Sequence, residues 1–191
     1  MAKLIVSEFL TVDGVMQDPG GAEGFERGGW AFKFERGPDG DKFKLDEVME
    51  AEALLLGRVT YEGFAGAWPS RTGEFADKMN GMPKYVVSKT LKEAGWQNSK
   101  LLKSNVVEEV SRLRSASGGN ILVAGSGQLV QTLTQNDLVD EYRFMVFPVV
   151  LGMGKRLFKD GSNMAAMQLV AAKPVGSAGV LTLIYHPDRK R

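Results

Sequence analysis

Two hydrophobic rhythms run along the chain, one in its first two-thirds and another in its last third. Residues 4–12 alternate, with Leu4, Val6, Leu10 and Val12 on one side, the pattern of a strand with one face in a core. The Asp13-Gly14 pair ends it as a turn. Residues 19–40 mix glycine and charge with Trp30, Phe32 and Phe34, and predict a long, partly ordered loop of the functional kind. A helix is expected over 41–51, with Phe43, Val48 and Met49 turned inward. Ala53-Leu54-Leu55-Leu56 is a continuous apolar run closed by Gly57, the form of a strand buried on both faces. A short helix over 59–65, a strand over 84–87 stopped by Ser88 and a shorter strand near Leu101-Leu102 follow. Asn105 can cap a helix, because Glu108 completes a capping box and Val106, Val107, Val110 and Leu113 form a stripe that runs to Gly118-Gly119. Residues 120–124 repeat the buried-strand pattern, and Gly125-Ser126-Gly127 leads into a helix ending near Thr134. Beyond it, residues 141–150, 168–175 and 180–186 read as strands with no long helix between them.

Strands alternating with helices require right-handed crossovers, hence parallel pairing. The expected architecture is a single α/β domain over residues 1–191, a three-layer fold with a mostly parallel central sheet and an antiparallel C-terminal edge. The stretch 142–151 is apolar at nearly every position, so both of its faces need cover. Few helices remain in that third to supply it, which predicts a homodimer built on the C-terminal strands.

Composition then removes whole classes of function. Lys plus Arg number 24 against 23 for Asp plus Glu, and this balance offers no footprint for nucleic acid or an anionic membrane surface. No cysteine is present, which excludes disulfides, thiolate nucleophiles and cysteine zinc sites. The longest apolar stretch, 144–151, is too short to span a bilayer, and residues 1–4 lack the layout of a signal peptide, so a cytoplasmic location is expected. The only histidine, His186, stands beside Pro187 without a helical partner, and no metal site is expected.

Chemistry concentrates at the strand-to-helix junctions, where helix N-termini offer N–H groups and a positive dipole end to phosphates. At the first, Gly57 allows close backbone approach, Arg58 can fork onto a phosphate and Thr60 adds a hydroxyl; a tight turn with a solvated arginine explains the same residues equally well. The second, Gly125-Ser126-Gly127-Gln128-Leu129, begins like a dinucleotide fingerprint but has Val130 where the third glycine belongs. Ser88-Lys89-Thr90, at a third strand end, suits a phosphate monoester, though an exposed turn would carry the same residues. Asp13 reads as half of a common tight turn as well as a candidate acid.

Taken in order, Val12-Asp13-Gly14, Leu56-Gly57-Arg58-Val59-Thr60-Tyr61, Val87-Ser88-Lys89-Thr90, Val123-Ala124-Gly125-Ser126-Gly127 and the stretch 147–154 resemble the dihydrofolate reductase-like family. The closer likeness is to the C-terminal reductase domain of the bifunctional riboflavin-biosynthesis deaminase/reductase, and it covers nearly the whole chain. The resemblance implies an NADPH-dependent reductase of a small pterin- or pyrimidine-like molecule. It implies that Gly57, Arg58 and Thr60 hold cofactor phosphates and that Ser88, Lys89 and Thr90 surround the adenosine 2′-phosphate. Gly125, Ser126, Gly127, Gln128 and Leu129 would then receive the pyrophosphate, and Asp13 would lie beside the nicotinamide as the candidate catalytic residue. Asp41 stands near the place of the family's helix carboxylate, but its flanking residues do not match. The alternative is a non-catalytic nucleotide-binding module of the same fold.

Overall fold

A computed structural model describes residues 1–189. The first strand, β1 (Leu4–Thr11), lies deep in an eight-stranded sheet and is followed by a long loop with one 3-10 turn at Trp30–Lys33. Next come α1 (Gly37–Glu50), β2 (Ala51–Gly57), α2 (Arg58–Ala67), α3 (Glu74–Gly81), β3 (Lys84–Val87) and β4 (Ser99–Leu102). The chain continues through α4 (Val106–Ala116), β5 (Asn120–Ala124), α5 (Gly127–Gln135), β6 (Glu141–Phe147), β7 (Met167–Val175) and β8 (Val180–Pro187). The sheet order is β4-β3-β2-β5-β1-β6-β8-β7. Strands β1 to β6 run parallel wherever they pair, and only β8 and β7 are antiparallel additions.

One face of the sheet packs Leu4, Val6, Ile121 and Val123 against Val110 and Leu113 of α4 and Leu129 and Leu133 of α5. The other packs Ile5, Leu54, Leu56 and Leu122 against Val48 of α1, Tyr61 of α2 and Met79 of α3. Fully buried side chains of this size each contribute roughly 1.5–3 kcal/mol. Lys84 is buried among them at the start of β3 and donates to the carbonyls of Asn80 (2.8 Å), Met82 (2.8 Å) and Gln97 (3.1 Å). Among the described residues no helix is long and apolar enough to cross a membrane.

Several details differ from the sequence expectation, and Val12 and Met49, expected to turn inward, are exposed. Strand β6 is parallel to β1, because α5 is a crossover helix that carries the chain from β5 over β1. It stops at Phe147 rather than at 150, since Pro148 has no N–H for the ladder. The loop over 19–40 is well ordered: Asp18 accepts from the N–H groups of Glu23 (3.0 Å) and Phe25 (3.1 Å), and α1 begins at Gly37. Helix α3 passed unread in a stretch whose apolar positions are few.

Strand β6 also needs no second subunit to cover it. Trp30 is buried, donates its indole N–H to the Gln17 carbonyl (2.8 Å) and meets Phe147 edge-on at 5.4 Å, while Phe9 and Phe34 close around the same ring. Tyr142 and Phe144 pack on the opposite face with Leu157. The chain covers both faces of β6 itself, with a loop where a helix was sought.

Candidate functional site

Pairing between β1 and β5 ends at Ser7↔Ala124, whereas β1 stays paired with β6 as far as Thr11↔Phe147. Past Ser7 the sheet is therefore split, and the split opens at the carboxyl ends of the parallel strands, where open α/β sheets bind ligands. Gly57 of β2, Ser88 after β3 and Gly125 after β5 end on this same edge, so the order β3-β2-β5-β1 brings the three sequence motifs side by side.

The β5 turn is locked to α2. Ser126 takes a left-handed conformation (φ 66°), its N–H donates to Thr60 Oγ1 at 2.9 Å, and its hydroxyl accepts from the Gly57 N–H at 2.8 Å while donating to the Ala124 carbonyl at 3.1 Å. Gly125 has φ 56°, and a methyl there would come within 2.8 Å of Thr60 Oγ1. Only glycine meets both conditions cheaply. Thr60 and Ser126 thus shape the turn, which aims the start of α5.

The N–H groups of Gly127, Gln128 and Leu129 have no hydrogen-bond partner among the described residues. They sit on the first turn of α5 with the positive dipole end behind them. Gln128 is exposed, and the Leu129 side chain is buried in the core, so that residue offers only its backbone. Met16 lies over Gly127, where a methyl would meet its Sδ at 2.6 Å. Free donors and a helix dipole fit a diphosphate, and the missing Cβ leaves room for Met16.

The other predicted residues are placed as follows. Arg58 is the first residue of α2 and is half-exposed beside Glu62 at 2.9 Å, a surface pair weak enough to be exchanged for a phosphate. Ser88 spends its hydroxyl accepting from the N–H groups of Thr90 (3.2 Å) and Leu91 (2.9 Å), which leaves Lys89 and Thr90 exposed on a fixed turn. Asp13 is a staple: it accepts from the Thr11 hydroxyl (2.6 Å) and from the N–H groups of Leu151 (3.2 Å) and Gly152 (2.8 Å). Against some desolvation, those hydrogen bonds hold its carboxyl below the usual range. Asp41 pairs with Arg36 Nε at 2.7 Å on the surface. His186 meets Glu141 Oε2 at 3.2 Å, and no cluster of three metal-ligating side chains occurs among the described residues.

The groups that the sequence reading overlooked lie in and beside the split. Glu8, the first β1 residue past the last β1–β5 pair, is buried, and its Oε1 has no hydrogen-bond partner. Burial pushes its carboxyl well above the usual range; Lys44 opposes this, Glu47 adds to it and the Gly125 N–H opposes it. On α1, Glu47 is buried, accepts from the Ser7 hydroxyl at 2.7 Å and is ion-paired with Lys44, while its Oε2 has no partner. Lys44 also donates to the Ser7 hydroxyl at 2.7 Å and lies 5.0 Å from the centre of the Phe9 ring. A signal was there to read, since position 8 shares the inward phase of Leu4, Val6 and Leu10 and carries a charge.

The model of the RibD C-terminal domain family matches residues 2–181. The uncharacterized protein YyaP of Bacillus subtilis (strain 168) is 30% identical over 153 residues, covering 78% of this chain and 80% of YyaP. Among solved structures, a protein from Shewanella sp. PV-4 assigned to riboflavin biosynthesis superposes with a TM-score of 0.78 at 23% identity, covering 99% of this chain and 100% of that one. Dihydrofolate reductase from Enterococcus faecalis, complexed with NADP(H), gives a TM-score of 0.62 at 17% identity, with 97% of this chain and 96% of that one covered. The fold is the three-layer dihydrofolate reductase-like fold.

Proposed function

The chain belongs to the RibD C-terminal domain family, a family of reductase type, and from that membership we propose that it is an NADPH-dependent reductase of a small, flat, pterin- or pyrimidine-like heterocycle. The observation that carries the reading is the row of unpartnered N–H groups on α5 beside the split in the sheet. Gly127, Gln128 and Leu129 would hold the pyrophosphate, with Arg58 supplying a second charge from the start of α2. Lys89 and Thr90 would hold the 2′-phosphate, one strand further along the same edge. When bound, the cofactor supplies a hydride to the substrate ring. Thr60 and Ser126 keep the α5 terminus aimed, and Asp13 ties the end of β1 to the loop at 151–152, which fixes one wall of the split. A module that only bound nucleotide would have no use for a buried, unpartnered carboxyl at that place. We also place a homodimer contact on the exposed edge strand β7, where Leu169 and Val170 are each 52% exposed.

Calorimetric titration with NADPH and NADH tests the cofactor reading. The wild type should prefer NADPH by tenfold or more, as a charge-assisted contact of about 1.5–3 kcal/mol requires, and Lys89→Ala should lose most of that preference. Equal affinity for the two nucleotides in both proteins refutes it.

A further inference from the structure

Reducing a ring C=N bond needs two deliveries, a hydride on carbon and a proton on nitrogen. The first belongs to the cofactor of the function proposed above, on which this inference rests. The second needs an acid at the split that is out of water and not already committed to a neighbour. Asp13 does not qualify, because three donors hold it as a carboxylate. Asp41 is on the surface, tied to Arg36. Glu47 also keeps an unpartnered Oε2, but its Oε1 accepts from Ser7 and is ion-paired with Lys44, which holds it as the charged carboxylate.

Glu8 is left. It stands where β1 parts from β5, it is 4% exposed, and its Oε1 is unpartnered. The charged groups that act on it are Lys44 and Glu47 from α1, and the Gly125 N–H acts on it from the β5 turn. Of these two buried carboxyls one, Glu47, holds the Lys44 ammonium in an ion pair. The other is cheapest to bury with its proton on. We propose that Glu8 is a neutral carboxylic acid that protonates the substrate heteroatom as the ring is reduced. Its O–H bond breaks as the new N–H bond forms, and the electron pair of the C=N π bond becomes that N–H bond. Glu8 is left as a carboxylate, whose charge a bound, oxidised nicotinamide would offset, and solvent returns its proton once the site opens.

That last state can be prepared without knowing the substrate. NADP+ brings the cationic ring to Glu8 and should expel its proton, whereas NADPH should not. Calorimetry in buffers of different ionisation enthalpy counts the protons released. The wild type should release a large fraction of one proton with NADP+ and close to none with NADPH, and Glu8→Gln should release none with either. Infrared difference spectra of the free protein should show a protonated-carboxyl band at about pH 7 that Glu8→Gln lacks. Equal proton release with the two nucleotides, or release that survives in Glu8→Gln, overturns the proposal, and so does absence of the infrared band. If neither nucleotide binds the wild type, the cofactor reading falls and takes this one with it. If both bind without proton release, the cofactor reading stands and Glu8 loses its role.

Discussion

Replacing Ser126 separates two effects that the turn after β5 combines. Ser126→Ala keeps a Cβ at φ 66° and keeps the N–H bond to Thr60, but it removes the hydroxyl that accepts from Gly57 and donates to Ala124. A half-buried N–H left without an acceptor costs about 1–2 kcal/mol, and the second bond contributes about 0.5 kcal/mol net, so the loss should be close to 2 kcal/mol. Ser126→Gly loses the same two bonds but relieves the left-handed strain, worth about 1–2 kcal/mol, against a smaller entropic cost of freeing the unfolded chain. The glycine variant should therefore be the more stable of the two by about 0.5–1 kcal/mol, with both below wild type. Urea unfolding reads this directly. With a slope of about 2 kcal/mol/M, the alanine variant should lose roughly 1 M of midpoint. An alanine variant as stable as wild type would show that the hydroxyl does not hold the turn, and a glycine variant less stable than alanine would remove the strain argument.

Other expectations follow from the same geometry. Gly127→Val should stay folded, since the atom it meets is the tip of the flexible Met16 side chain, yet circular dichroism should look native while calorimetry finds no NADPH binding. Lys84→Met should lower stability by about 2–4 kcal/mol in urea, because the buried Met82 carbonyl and the partly buried Asn80 and Gln97 carbonyls lose their donor. Glu8 has its carboxyl raised in the folded state, so its contribution is fully present below the ordinary value of 4.5 and is lost as pH rises through the folded value. The urea midpoint of wild type should therefore fall relative to that of Glu8→Gln as pH rises above that ordinary value, and parallel curves would refute the assignment. Light scattering behind a sizing column should give twice 20.8 kDa for wild type, and Leu169→Lys with Val170→Lys should give a monomer; a wild type that elutes as a monomer removes the β7 contact.

Local chemistry made much of the molecule legible in the sequence. Continuous apolar runs closed by glycine or serine mark β2 and β5, and the Asn105–Glu108 capping box marks the start of α4, where the Asn105 side chain does accept from the Val107 N–H at 3.0 Å. These signals are written within a few residues and need nothing from the rest of the chain. The motifs at the ends of β2, β3 and β5 were readable for the same reason, as glycines and hydroxyls that only certain turns require. What the sequence could not carry was adjacency. Sheet order places β5 between β2 and β1 and ends the β1–β5 ladder at Ser7↔Ala124, a fact about pairing between segments more than a hundred residues apart. That split turns Glu8 from a charge in an odd phase into a buried acid at a cleft. Lys44 and Glu47 acquire their meaning only when α1 packs on β1, and Asp13 became a staple because the loop at 151–152 folded back onto it. Even the cover for β6 came from Trp30, more than a hundred residues upstream, since burial is decided by whichever apolar surface arrives in space, whatever its distance along the chain.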